Sequence, residues 1–90
     1  MKKLQLRYVG HVTPITGILD ENCEVDAATM RELIGELDRK YGGFHEMFLN
    51  AKTGELNLNA MIYYGEPSKV PIPVIDMDQP IQDGATVTFW

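Results

Sequence analysis

The start of the chain has the apolar pattern of a β-hairpin. Apolar side chains alternate with polar ones at Leu4, Leu6 and Tyr8. This period of two predicts a strand over residues 4–9 that is buried on one face. A second strand is predicted within residues 15–25, where the apolar positions are Ile18, Leu19 and Val25. Residues 20–22 are expected to form a turn or bulge within it, and the two strands are expected to pair.

The clearest element is an amphipathic helix near the middle of the chain. Its apolar residues recur at helical spacing, at Met30, Leu33, Ile34, Leu37 and Tyr41. This stripe with a 3.6-residue period predicts a helix that buries one face. Thr29 and Glu32 have the spacing of a capping box at its start, and Gly42 is placed to end it in a left-handed conformation. Glu36 and Lys40 lie four residues apart, so we expect them to pair on its outer face.

The second half of the chain predicts turns and up to three more strands. Residues 44–49 are expected to form a short apolar turn over the core. Residues 56–64 predict a third strand whose apolar face consists of Leu58, Ala60, Ile62 and Tyr64. Residues 70–75 are apolar, but Pro71 and Pro73 each lack a hydrogen-bond donor, so a strand there must be short or at an edge. Asp83 and Gly84 mark a final turn before a last strand at residues 86–90, with Val87 and Phe89 on one face.

This order of elements predicts an α+β fold of the β-grasp, ubiquitin-like type over residues 1–90, as a single domain. One main helix covers only one side of a mixed sheet of four or five strands. The first and last strands are both apolar, so we expect them to lie side by side and parallel at the centre of the sheet. The helix then forms part of the crossover that parallel neighbours require.

Composition narrows the class of function. Ninety residues with 44% hydrophobic content suit one modest core. The net charge of -5 argues against a nucleic-acid partner, because such binding depends on Lys and Arg contacts to phosphates. No apolar run is long enough for a membrane span and no signal-peptide core follows the start. We therefore expect a cytoplasmic protein that binds neither nucleic acid nor membrane.

No residue pattern predicts a catalytic, cofactor-binding or metal site. Cys23 is the only cysteine and has no neighbouring nucleophile motif, so we interpret it as a buried, inert thiol. His11 and His45 lie far apart in sequence and have no ligand-like spacing. The protein is therefore more readily interpreted as a carrier or a binding protein than as a catalyst.

Two segments resemble the small ubiquitin-like sulfur carriers of the MoaD/ThiS family. In that family the helix typically opens Ala-Thr-Val-x-Glu/Asp-Leu-Leu, and residues 28–34 here read Ala-Thr-Met-Arg-Glu-Leu-Ile. Near its end the family reads Pro-Leu-x-Asp-Gly-Asp-x-Val, and residues 80–87 here read Pro-Ile-Gln-Asp-Gly-Ala-Thr-Val. Where the family often has Asn-Gly in the middle, this chain has Tyr64 and Gly65.

The resemblance implies a sulfur carrier, serving molybdopterin or tungstopterin cofactor biosynthesis. In such proteins an E1-like adenylating enzyme activates a C-terminal glycine, which becomes a thiocarboxylate, and a larger synthase subunit uses the sulfur. A narrow Gly-Gly tail suits this chemistry because glycine has no Cβ. This chain ends at Trp90, so we expect the reactive tail to be missing from it. The alternative is a tail-less ubiquitin-like binding module or accessory subunit without chemistry of its own.

The candidate partner-binding residues are Tyr63, Phe89 and Trp90. Adjacent residues of a strand face opposite sides, so one of Tyr63 and Tyr64 must leave the helix-packed core. With Phe89 facing inward beside Val87, Tyr63 or Trp90 would contribute to an apolar patch on the open face. Aromatic residues are enriched where protein surfaces meet. Phe89 and Trp90 would then form the base of the tail, and Asp83 and Gly84 would hold the final turn.

Overall fold

A computed structural model describes residues 1–90 and contains five strands and three α-helical segments. The elements, in chain order, are β1 (Lys2–Tyr8), a 3-10 turn (Gly10–Val12), α1 (Thr13–Thr16), β2 (Asp20–Val25), α2 (Met30–Tyr41), α3 (Phe44–Phe48), β3 (Ile62–Gly65), β4 (Ile72–Pro73) and β5 (Thr86–Phe89). None of these helices is long and apolar enough to cross a bilayer.

The five strands form one mixed sheet in the order β2-β1-β5-β3-β4. Strands β1 and β5 are parallel neighbours at its centre, with Leu6 opposite Val87 and Tyr8 opposite Phe89. All other neighbours are antiparallel. The predicted β-grasp fold, with the first and last strands paired at the middle of the sheet, is confirmed.

The core lies between α2 and one face of this sheet. The strands contribute Leu4, Leu6 and Tyr8 from β1 and Val87 and Phe89 from β5. The α2 stripe of Met30, Leu33, Ile34 and Leu37 is buried against them. Thr29 begins the helix as predicted, because its hydroxyl accepts a hydrogen bond from the Glu32 N–H at 3.3 Å. The Glu32 carboxylate in turn accepts from the Ala28 N–H at 3.2 Å.

The hairpin before α2 differs from its prediction. Residues 20–22 do not form a turn or bulge but belong to β2, and residues 10–16 fold into two short helical turns. Pro14 lies in the first turn of α1, where a missing N–H costs nothing, and Gly17 ends it with a φ of 77°. Ile18 and Leu19 are therefore in an exposed connection and are not apolar points of a strand.

Two details of α2 also differ. Lys40 pairs with Glu21 of β2 at 2.8 Å, and not with Glu36. Gly42 has a φ of 80° but an extended ψ of 156°, so the left-handed residue is Gly43, with a φ of 81° and a ψ of -8°. The two glycines together turn the chain from α2 into α3.

The third strand is shorter than predicted. Only residues 62–65 pair with the sheet, and Leu58 is 97% exposed although it was expected in the core. Residues 44–49, predicted as an irregular turn, contain the helical turn α3, whose Phe44 and Phe48 are fully buried. The segment at residues 70–75 contributes the short edge strand β4, as its two prolines predict.

Candidate partner-binding site at the end of β5

The candidate site begins where β5 ends. The Trp90 N–H donates to the Met61 carbonyl at 2.9 Å, so pairing with the β3 side continues one residue beyond the strand. Trp90 itself is 50% exposed, whereas the preceding Phe89 is fully buried. Neighbouring residues of one strand thus have opposite surroundings, because successive side chains face opposite sides of a sheet.

Phe89 anchors this strand in the core. Its ring centroid lies 5.1 Å from that of Phe48, 5.6 Å from that of Phe44 and 6.1 Å from that of Tyr8. The prediction that Phe89 contacts a partner is therefore not supported by its position, because no part of its side chain reaches the surface. Phe89 fixes the position of Trp90 instead.

Tyr63 and Trp90 lie on the opposite, open face of the sheet. Tyr63 pairs with Thr88 in β5, and Met61 lies across from Trp90. This register makes Trp90 the diagonal neighbour of Tyr63, within reach of long side chains. Met61, 47% exposed, completes an apolar patch that we call the open-face patch: Met61, Tyr63 and Trp90. The role of Tyr63 and Trp90 in partner binding stays a prediction.

The turn before β5 is clamped to β1. The Asp83 carboxylate accepts a hydrogen bond from the Lys3 N–H at 2.6 Å, and the Gly84 N–H donates to the Lys3 carbonyl at 2.7 Å. Tyr64 reaches the same turn from β3, where its hydroxyl accepts from the Gln82 N–H at 2.7 Å. These bonds set where β5 begins and therefore which of its residues faces the solvent.

Replacing Gly84 by alanine is expected to lower the free energy of unfolding by about 1–2 kcal/mol. Gly84 has a φ of 84°, and an added Cβ would lie 3.1 Å from Pro67 Cγ. Urea denaturation of both proteins measures the change. Gly17→Ala is the matched control, because Gly17 has a similar φ of 77° but its Cβ would have no atom within 4 Å, so it measures the cost of the left-handed φ alone. If Gly84→Ala is as stable as the wild type, the turn does not require a glycine with a positive φ beside Pro67.

A partly buried polar cluster lies between β2 and α2, on the helix-covered face of the sheet. Glu21 accepts hydrogen bonds from the hydroxyls of Tyr8 at 2.6 Å and Tyr41 at 2.5 Å, and it pairs with Lys40. Burial pushes the pKa of Glu21 upward, but the bonds from Lys40, Tyr41 and Tyr8 outweigh it and leave that pKa below its usual value. Burial, together with the bond to Glu21, raises the pKa of Tyr8.

The remaining candidate groups do not form a site. Cys23 is half-buried against the core, and burial raises the pKa of its thiol, which favours the unreactive form. His45 pairs with Asp38 at 3.3 Å, and His11 is exposed elsewhere. No group of three or more His, Cys, Asp or Glu residues is placed to hold a metal ion.

Sequence reasoning missed two contributors to the site. Met61 belongs to the open-face patch, and the alternation that places Tyr63 outside would have placed Met61 there too. Tyr64 holds the final turn through its hydroxyl. Its burial could be predicted, but its partner Gln82 could not, because the two are 18 residues apart in sequence.

Comparison with solved structures identifies the fold. The Haloferax volcanii HVO 2177 protein superposes with a TM-score of 0.77 at 18% identity, covering 98% of this chain and 80% of its own. A Pyrococcus furiosus protein proposed to be subunit 1 of molybdopterin converting factor gives 0.70 at 19% identity, with 99% and 95% covered. In the Amycolatopsis orientalis BexX/CysO complex, the matching chain gives 0.74 at 17% identity, with 97% and 92% covered.

No protein-family model matches the chain, and no curated protein matches its sequence. At identities below one fifth, the structural likeness establishes the fold and leaves activity to be argued separately. The chain therefore has the β-grasp, ubiquitin-like fold that these solved structures share.

Proposed function

We propose that this chain is a ubiquitin-like protein of the sulfur-carrier and modifier class. The observation that carries the proposal is the match, over nearly the whole chain, to the Pyrococcus furiosus protein and to the BexX/CysO complex. The central position of β5 supports it, because a carrier must hold its last strand rigidly while the end of the chain enters a partner. Phe89 provides that anchor in the core.

The partners that we propose are an E1-like adenylating enzyme and a larger synthase subunit. The Pyrococcus furiosus neighbour favours molybdopterin or tungstopterin synthesis as the destination of the sulfur. The reaction requires a polypeptide whose terminal glycine follows the last strand, so that a segment without side chains enters the active site. Because the adenylation consumes ATP, the proposal places the protein in the cytoplasm.

The test uses the natural full-length polypeptide together with ATP and the E1-like enzyme of the same organism. Intact-mass spectrometry should detect a protein-adenylate and, after a sulfur donor is added, conversion of the terminal carboxylate to a thiocarboxylate. Failure to form the adenylate while binding to a cognate partner persists would refute the carrier. That result would favour the alternative, a ubiquitin-like binding module or accessory subunit, which the open-face patch also supports.

The open-face patch predicts a separate effect of Trp90→Ala. This substitution is expected to weaken partner binding about 5- to 30-fold, because aromatic anchors contribute roughly 1–2 kcal/mol or more to interfaces. Tyr63→Ala should weaken it in the same direction. Isothermal titration with the E1-like enzyme measures the affinity, and circular dichroism measures the melting temperature.

Leu58→Ala is the matched control, because Leu58 is a large exposed apolar residue outside the patch. It should leave binding unchanged. If Trp90→Ala unfolds the protein, Trp90 belongs to the core and the patch hypothesis is wrong. Equal losses of affinity from Leu58→Ala and Trp90→Ala would also contradict a specific patch.

A further inference from the structure

The two edges of the sheet differ in what they offer to another strand. At the β4 edge, the Val74 N–H donates to the Ile62 carbonyl at 2.8 Å, and Ile72 pairs with Tyr64. The backbone N–H and C=O groups of the even-numbered residues in this segment therefore point towards β3. The backbone positions of Pro71 and Pro73 point outward, away from the sheet. Proline has no N–H, so this edge lacks donors at both outward positions.

The β2 edge is not closed in this way. The N–H groups of Gln5 and Val9 donate towards β5, to Ala85 and Phe89, whereas the Tyr8 N–H donates to Leu19 on the β2 side at 2.8 Å. The backbone N–H and C=O groups of odd-numbered β1 residues thus point towards β5, and those of even-numbered residues point towards β2. In an antiparallel pair of strands, opposite residues alternate between hydrogen-bonded and non-hydrogen-bonded pairs. The odd-numbered residues of β1 are therefore in non-hydrogen-bonded pairs with β2.

The β2 residues in these non-hydrogen-bonded pairs are Asp20, Asn22 and Glu24. Their backbone N–H and C=O groups point away from β1, towards the outside of the sheet. Strand β2 pairs with β1 alone, so the N–H and C=O groups of these three residues have no strand partner. Such a row is a template for an added strand. The opposite edge, with its prolines, lacks this property.

Charge restricts what can pair there. Asp20 and Glu24 are both exposed and alternate with Asn22 on the open face. Arg7 lies across from Asp20 and Lys3 across from Glu24 in β1, but neither carboxylate forms an ion pair with a Lys or Arg side chain. A second copy of the chain, pairing antiparallel about Asn22, would set Asp20 opposite its Glu24. Like charges directly opposite are destabilising, so this edge disfavours self-association.

We propose that the β2 edge binds an extended segment of a partner protein that carries Lys or Arg at two positions four residues apart. Those two side chains would face Asp20 and Glu24, and the partner's backbone would pair with the outward groups of β2. This surface is distinct from the open-face patch, which lies towards the far edge of the sheet. It does not depend on sulfur-carrier chemistry.

The probe is the capped peptide Thr-Lys-Val-Thr-Val-Lys-Thr, and its control is the same peptide with glutamate in place of lysine. In the free protein, the amides of Asp20, Asn22 and Glu24 should exchange rapidly with solvent. The lysine peptide should protect these three amides, and at low ionic strength it should bind about tenfold more tightly than the glutamate peptide. NMR titration and hydrogen exchange on the full chain measure both effects.

Two variants test the surface itself. The double variant Asp20→Lys/Glu24→Lys should bind the glutamate peptide more tightly than the lysine peptide. The control double variant Glu46→Lys/Glu55→Lys changes the net charge equally at other exposed positions, and it should still prefer the lysine peptide. Asn22→Pro removes an outward N–H that has no partner in the sheet, and it should abolish protection while the fold persists. The proposal is overturned if both peptides bind equally, if the control pair reverses the preference, or if protection appears at the open-face patch instead.

Discussion

Phe89→Ala is expected to lower the free energy of unfolding by about 3–5 kcal/mol. Phe89 is fully buried, and its ring contacts an aromatic cluster formed by Tyr8, Phe44 and Phe48. Removing the ring would leave a cavity between α3 and the two central strands. Domains of this size have a total stability of roughly 5–15 kcal/mol, so the loss would be a large share of it. Urea denaturation monitored by circular dichroism measures the change, because Trp90 is the only tryptophan and one of the comparison variants below removes it.

Two further variants test whether the loss of stability comes from the buried ring of Phe89. Phe89→Leu retains most of the buried volume and should cost less than the alanine variant. Trp90→Ala removes a larger side chain from the next position but should cost less than about 1 kcal/mol, because half of that residue is already exposed. A Phe89→Ala variant that loses less than Trp90→Ala would show that the end of β5 is not anchored as described.

The elements that could be predicted from the sequence are those whose environment repeats at a fixed period. Strand β1 alternates between core and solvent along its whole length, and α2 buries one continuous stripe. Each of these segments carries its own signal, so neighbouring residues were sufficient to identify it. The parallel pairing of β1 with β5 was predicted because the first and last strands are both apolar and were therefore expected at the centre of the sheet.

The segment before β3 shows where such local patterns fail. Leu58, Ala60 and Ile62 alternate as in a strand, but residues 49–57 are held against α3 instead of the sheet. The Asn57 N–H donates to the Phe48 carbonyl at 2.9 Å, and its side-chain amide donates to the Glu46 carbonyl at 3.2 Å. These contacts hold the segment away from the sheet and leave Leu58 in solvent. Tertiary contacts, and not strand propensity, decided its path.

The candidate site was predicted only in part for a similar reason. Strand alternation correctly separated Phe89 from Trp90 and Tyr63 from Tyr64. It could not show that Phe89 would be enclosed by Phe44 and Phe48, because α3 has too few residues to give a periodic signal. Glu21 was placed in a turn, since its partners Tyr8, Lys40 and Tyr41 are 13 to 20 residues away in sequence.

Glu21→Gln is expected to lower the free energy of unfolding at pH 7 by about 2–3 kcal/mol. The carboxylate accepts from two tyrosine hydroxyls and pairs with Lys40, and one of those tyrosines, Tyr8, is 1% exposed. An uncharged amide accepts such bonds more weakly, and its NH₂ group cannot pair with the ammonium group of Lys40. Urea denaturation at neutral pH measures the difference, and Glu24→Gln, a neighbouring exposed carboxylate on the same strand, should change it little.

The pH dependence of the free energy of unfolding shows whether Glu21 stabilises the fold through its charge or through its packing. The pKa of Glu21 is lower in the folded chain than in the unfolded one, so the unfolded state takes up the proton first as the pH falls. The stability that Glu21 contributes is therefore complete above its unfolded pKa and is lost as the pH falls through its folded pKa. The gap between wild type and Glu21→Gln should narrow over that acidic range, because the protonated wild type then resembles the amide. A gap of constant size from pH 7 down to pH values below the folded pKa would mean that packing, and not charge, holds β2 to α2.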